Sequence, residues 1–171
     1  MILPIVTHPN PILTTPTVAI AEITPEIHQL VADMRETMHN AKGLGLAAPQ
    51  INRGISLCIL EFEDPEGESE RGEAFPFTVL INPRITWQGF RQSVDEEACL
   101  SIPGVYGDVK RPSAIRVKAL NLDGETVQIE ARGLFARAIQ HEIDHLNGKL
   151  FTSYVTKKNL GTRPAPDYPR I

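Results

Sequence analysis

From residue 24 the chain adopts a three-and-four spacing of apolar positions. Ile27, Leu30, Val31, Met34, Met38 and Ala41 fall on one face at 3.6 residues per turn, which predicts an amphipathic helix. Thr24 suits its N-cap and Pro25 its first turn. Gly43 is placed to end it in a left-handed conformation. The period then changes. Residues 55–60 (ISLCIL) are a short continuous apolar run, the signature of a buried strand. Residues 77–85 read as a second strand interrupted by Pro83. Residues 115–122 and 125–131 flank Asp123-Gly124, a strong hairpin signal. Residues 134–147 (LFARAIQHEIDHLN) return to helical spacing, with Gly133 before them and Gly148 after.

Elsewhere the pattern breaks down. Residues 7–16 carry three prolines and read as an extended lead-in. The tail is Pro-rich from about residue 160 and is expected to be irregular. Strands come first and a long helix late, so the expected class is α+β with antiparallel pairing. A length of 171 residues suits one domain with its own core. Aromatics are only 6%, so that core must be mainly aliphatic.

Composition narrows the setting. No apolar run approaches the ~20 residues of a membrane span. The start lacks the basic segment and cleavage site of a secretory leader. Two cysteines cannot build a disulfide framework, so a reducing cytoplasm is expected. The net charge of −4 is uneven. Residues 61–73 hold seven acids and one Arg, which leaves +2 for the remainder. No basic footprint for free nucleic acid follows from that total. The segment after residue 60 is expected to be a solvated loop.

The chemistry centres on His141-Glu142-Ile143-Asp144-His145. Residues four apart lie about 40° apart around a helix and one turn along it, so both imidazoles can reach one metal ion. Glu142 sits beside them, placed to handle a proton of metal-activated water. The bland alternative, a helix His pair with a surface acid, is disfavoured because Ile139, Ile143 and Leu146 bury a neighbouring face. Two known protease extensions of the motif fail at the third ligand. The only acid after His145 is Asp167, and position 151 is Phe rather than His. The third ligand therefore lies upstream, among His8, His28, His39, Cys58 and Cys99. Cys58 sits inside an apolar strand, where a small buried thiol is the simpler reading. Cys99 follows Glu96-Glu97-Ala98 and precedes a turn, a good place for a ligand.

Residues 43–50 (GLGLAAPQ) form a third unusual segment. Two glycines and two alanines let another backbone approach closely. A phosphate loop is the rival reading, but the Lys-Ser/Thr ending is missing.

Together, and in this order, the three segments resemble the peptide deformylase family. Its motifs G-x-G-x-A-A-x-Q, E-G-C-L-S and Q-H-E-x-D-H match residues 43–50, 97–101 and 140–145. The resemblance spans at least residues 5–151, and Ala98 stands where the family has Gly. It implies one catalytic domain over residues 1–171, with antiparallel sheets around the helix that carries both His. It implies a divalent metal on Cys99, His141 and His145. Fe²⁺ would be the ion in the cell, with Zn²⁺, Ni²⁺ or Co²⁺ possible in preparations. The implied reaction removes the formyl group from the initiator Met of nascent polypeptides; the alternative, which Ala98 alone motivates, is a catalytically impaired member that binds metal or nascent chains. Glu142 would move the proton, and Gln50 and the backbone N–H of Leu100 would hold the oxyanion. Gly43, Leu44, Gly45, Ala98, Leu134, Arg137 and Ala138 would meet the substrate, Arg137 through its aliphatic stem. Glu97 and Arg111 would form an ion pair behind the metal. The remaining expectations are a monomer, no membrane, and a transient ribosome contact through the basic tail (Lys157, Lys158, Arg163 and Arg170).

Overall fold

The computed structural model describes residues 1–64, 67, 72–155 and 160–162. Helix α1 is Pro25–Asn40 and α2 is Gly133–Leu146. The strands are β1 Gly45–Ala47, β2 Leu57–Phe62, β3 Phe75–Gln88, β4 Gln92–Cys99, β5 Ile102–Pro112, β6 Ala114–Leu120, β7 Thr126–Arg132 and β8 Leu160–Thr162. They form a five-stranded sheet in the order β1-β2-β3-β6-β7 and a three-stranded sheet β4-β5-β8. Every pairing within the two sheets is antiparallel. No helix among the described residues is long and apolar enough to cross a membrane.

The larger sheet lies between the two helices, which explains the unbroken apolar run of β2. Cys58, Leu60 and Phe62 pack with Ala136, Ile139 and Ile143 of α2. Leu57 and Ile59 pack with Val31, Met34 and Met38 of α1. Both faces of β2 are buried, so neither face needs polar alternation. The smaller sheet carries Cys99 and Val109, which cluster with Phe151. The ring of Phe151 stacks 6.2 Å from that of His141, so α2 is enclosed on that side too.

Four expectations are corrected. Lys42 at φ +53, not Gly43, takes the left-handed position after α1. Gly43 N–H donates to the Met38 carbonyl at 2.9 Å and Lys42 N–H to His39 at 3.0 Å, the paired bonds of a Schellman ending. Gly43 is small for another reason, since a Cβ there would lie 2.9 Å from Leu100 Cδ1. Second, β2 runs on through Glu61 and Phe62, both buried. Glu61 is not solvated, because Arg35 donates to it at 2.8 Å and His39 lies 2.7 Å away. Residues 65, 66 and 68–71 of the acidic segment lie outside the described residues. Third, Leu122 belongs to the turn rather than to a strand. The loop Leu122-Asp123-Gly124 is closed by Asn121 N–H on the Glu125 carbonyl, with Gly124 at φ +77. Fourth, Leu160–Thr162 pairs with Val105–Gly107, although the tail was expected to be irregular. The basic residues Lys157, Lys158, Arg163 and Arg170 lie outside the described residues.

Strand β3 passes Pro83 by a register shift between Ile81 and Arg84. Asn82 there adopts φ +52, and its amide bonds both backbone groups of Ile20 at 2.8 Å. Helix α2 ends as expected at Gly148, φ +69. There Lys149 N–H reaches the Asp144 carbonyl at 2.8 Å. A Cβ on Gly148 would lie 2.8 Å from Thr14 backbone atoms. Only Gly allows that approach of the lead-in to the end of the helix.

Candidate active site

The four-residue spacing on α2 puts His141 and His145 together, with ring centroids 5.0 Å apart and both rings buried. Strand β4 delivers Cys99 to the same place. A register shift between Ala98 and Cys99 ends the regular ladder there. Cys99 Sγ lies 3.2 Å from His145 Nε2. One donor atom from each of Cys99, His141 and His145 falls within 4.8 Å of the others, the one such grouping among the described residues. Of the other candidates, Cys58 lies in the core, and His39 meets Glu61 on the α1 side of the sheet. The backbone N–H of His8 donates to the Ser101 carbonyl at 2.8 Å. His28 stands on α1.

The donor set fits a divalent cation. His141 Nε2 is buried with no hydrogen-bond partner, a cost that a bound cation would remove. One thiolate and two imidazoles leave an open position on a first-row metal. Burial pushes the Cys99 thiol up to about 12, against donation from the Ser101 and Ile102 backbone. A cation would displace that proton on binding. His145 is held well below the usual imidazole range by burial, then by the charges of His141 and Arg111.

Glu97 organises the far side of this centre. It is fully buried, and its Oε2 lies 3.0 Å from His141 Nδ1. That contact leaves His141 Nε2 facing the other donors. Arg111 bonds Glu97 twice, Nε to Oε1 at 2.6 Å and the second guanidinium nitrogen to Oε2 at 2.9 Å. It also reaches Asp144 at 2.8 Å, and Tyr154 hydroxyl donates to Asp144 at 3.0 Å. Burial alone would raise Glu97. The hydrogen bonds from Arg111 and His141 outweigh burial and hold it well below the usual carboxylate range.

Arg137, whose aliphatic stem is expected at the substrate pocket, has its guanidinium buried behind the centre. It donates to Glu97 Oε1 at 2.8 Å, the Val109 carbonyl at 2.8 Å and Ser93 Oγ at 3.0 Å, and reaches Asp95 at 3.1 Å. It stands one helical turn before His141, and so meets the same carboxylate. Sequence reasoning missed Arg137, Asp144 and Tyr154 as members of this network. The i−4 and i+3 spacing from His141 was the available signal for the first two.

Glu142 is fully buried and neither carboxylate oxygen has a partner. Burial drives it well above the usual carboxylate range, and the charges of Glu97 and Asp144 add to that. Its neighbour is β1. A Cβ on Gly45 would overlap Glu142 Oε1 and lie 2.8 Å from Cδ, so Gly45 lets the strand pass the carboxyl. Strand β1 is the end strand of its sheet and pairs only with β2, which leaves one edge for another extended chain. Gln50, in the 3-10 turn Ala48–Ile51 after β1, is oriented by Ala47 N–H on its Oε1 at 2.8 Å. Its Nε2 donates to Cys99 Sγ at 3.6 Å. Leu44 and Ala138 are buried in the cluster against which Leu134 packs. Leu100 packs on Gly43. Ala98 lies in β4 opposite Tyr106, outside the positive-φ region, so it carries none of the strain that a required Gly would imply.

A family model for polypeptide deformylase matches residues 2–160. Peptide deformylase 1 of Bacillus anthracis is 45% identical over 156 residues, 91% of this chain and 94% of that protein. The peptide deformylase of Synechococcus elongatus, solved with actinonin, superposes with a TM-score of 0.82 at 37% identity, covering 91% of this chain and 80% of that one. The Acinetobacter baumannii enzyme solved with Met-Ala-Ser gives 0.85 at 32% identity, covering 91% and 99%. With the sheets, the helix and the Cys/His/His grouping in place, the chain belongs to the peptide deformylase family, metal-dependent hydrolases that remove the N-formyl group from nascent polypeptides.

Proposed function

We propose that Cys99, His141 and His145 hold the divalent cation with which this enzyme deformylates new chains. We further propose that Fe²⁺ is the ion in the cell and that the setting is the reducing cytoplasm, in keeping with two unpaired cysteines. A bound cation supplies Lewis acidity, which makes water acidic near neutral pH and polarises a carbonyl. The protein's residues do the rest. Glu142 accepts the proton of the attacking water and gives it to the amine as the C–N bond breaks, releasing formate. Gln50 Nε2 and the Leu100 N–H donate to the oxygen on which charge develops. Strand β1 pairs with the peptide backbone, and Leu44, Leu134 and Ala138 face its Met side chain. The Met-Ala-Ser peptide in the Acinetobacter baumannii structure supports a Met-first ligand.

The observation that carries these roles is the grouping of three buried ligands around one point, with the unpartnered Glu142 carboxyl at the β1 edge. The test compares formyl-Met and acetyl-Met peptides on Fe²⁺-loaded protein prepared without oxygen. A formyl carbon bears only hydrogen, so a site closed by Gly45 and Leu100 should favour it at least 100-fold in kcat/KM over acetyl. Equal rates would contradict the assignment. Fe²⁺ protein should lose activity in air, with Cys99 sulfur the target, while Ni²⁺ protein holds it.

A further inference from the structure

Beyond α1, the same face of the five-stranded sheet carries charge that the active site does not use. Register puts Arg84 of β3 directly opposite Lys118 of β6. Like charges directly opposite destabilise a sheet, and neither residue has an acidic partner among the described residues. Next along the face, Trp87 stands opposite Arg116, and Arg116 opposite Glu130. The guanidinium of Arg116 lies 5.3 Å from the Trp87 ring and pairs with Glu130 at 2.7 Å. Arg132 follows on β7, opposite Ala114. Arg84, Arg116, Lys118 and Arg132 are all exposed, so four cations meet one carboxylate on a single face. The composition hid this, because the charge outside the acidic segment totals only +2.

Two further observations bear on the occupant. A depression of about 450 Å³ is lined by Arg84, Lys118, Asn82, Thr86 and Thr126. Exposed aromatics stand at and just beyond the end of β3. Trp87 is 44% exposed, and Phe90, in the turn to β4, is 100% exposed. A small anion would use the depression and leave the rings unexplained. A strand of RNA uses both, with phosphates on paired cations and bases stacked on aromatic faces presented by a sheet.

We propose that this face binds RNA, with phosphates at Arg84, Lys118 and Arg132 and bases on Trp87 and Phe90. An enzyme whose substrate is a nascent polypeptide works beside an RNA-rich particle, and such a face would hold it there without engaging β1. The proposal does not depend on the residue roles assigned at the metal centre.

The test measures fluorescence anisotropy of a labelled single-stranded oligoribonucleotide against the whole protein as salt is varied. Arg84→Glu/Lys118→Glu should weaken binding at least tenfold and make the slope of log K on log salt shallower by about 1.4, for two lost phosphate contacts. Trp87→Ala should weaken binding about tenfold. Arg53→Glu/Lys149→Glu, with the same net charge, should bind like wild type. Deformylation of a formyl-Met peptide should be unchanged in every variant, which checks folding and separates this proposal from the catalytic one. Equal losses for the two charge-reversed pairs would overturn the proposal. Binding to anionic vesicles but not to RNA would also overturn it.

Discussion

Glu97 Oε2 lies 3.0 Å from Nδ1 of His141, and both groups are buried. A carboxylate on the outer nitrogen of a ligating imidazole fixes its tautomer and strengthens it as a donor. Two guanidiniums hold that carboxylate from behind, Arg111 from β5 and Arg137 from α2. We predict that Glu97→Gln weakens metal binding 10–100-fold in a chelator competition. It should also destabilise the fold by about 3 kcal/mol, because Arg111 and Arg137 lose their shared counter-charge in the interior. Unchanged metal affinity would show that Glu97 serves packing alone.

Gly45 gives a sharper contrast. A Cβ there collides with the Glu142 carboxyl, whereas a Cβ on Gly54 meets nothing within 4 Å. Gly45→Ala should keep the metal yet lose at least 100-fold in kcat, by displacing the proton-transfer group. Gly54→Ala should match wild type. Elemental analysis and kinetics on one sample decide this, and a Gly45→Ala enzyme with near-normal kcat would refute the close approach.

The three motifs, the two helices and the β6–β7 hairpin were legible because each depends on local spacing. Helical spacing brought His141, Glu142 and His145 together, and a ligand upstream was required by elimination. The β4–β5 hairpin was not legible. Residues 92–99 (QSVDEEAC) lack alternating apolar positions, since the strand buries Glu97 and Cys99 where a core strand would bury Val or Ile. Strand β1 was hidden by its three-residue length. The guanidinium partners of Arg137 were legible only in part: the i−4 spacing from His141 puts it on the same helix face, but Glu97 is 40 residues away in the chain.

Glu61 offers a test by pH. The hydrogen bonds from Arg35, against the cost of burial, hold it below the usual carboxylate range. A lowered folded value gives stability that is present above the ordinary carboxylate pKa and is lost as pH falls through the lowered one. Because Arg35 is 42% exposed, solvent screening limits the gain to about 1 kcal/mol. Wild type should exceed Glu61→Gln by that margin in urea melts at pH 7, and the gap should shrink as the pH falls below about 4. A gap of constant size would place the effect in packing rather than charge.

The most direct measurement is metal stoichiometry, by elemental analysis, for wild type, Cys58→Ser and Cys99→Ser. Both thiols are buried, but only Cys99 stands with His141 and His145. Wild type and Cys58→Ser should each carry about one ion per chain, and Cys99→Ser should carry much less. Loss of the ion from Cys58→Ser with retention in Cys99→Ser would contradict the ligand assignment, and with it the placement of β4 at the catalytic centre.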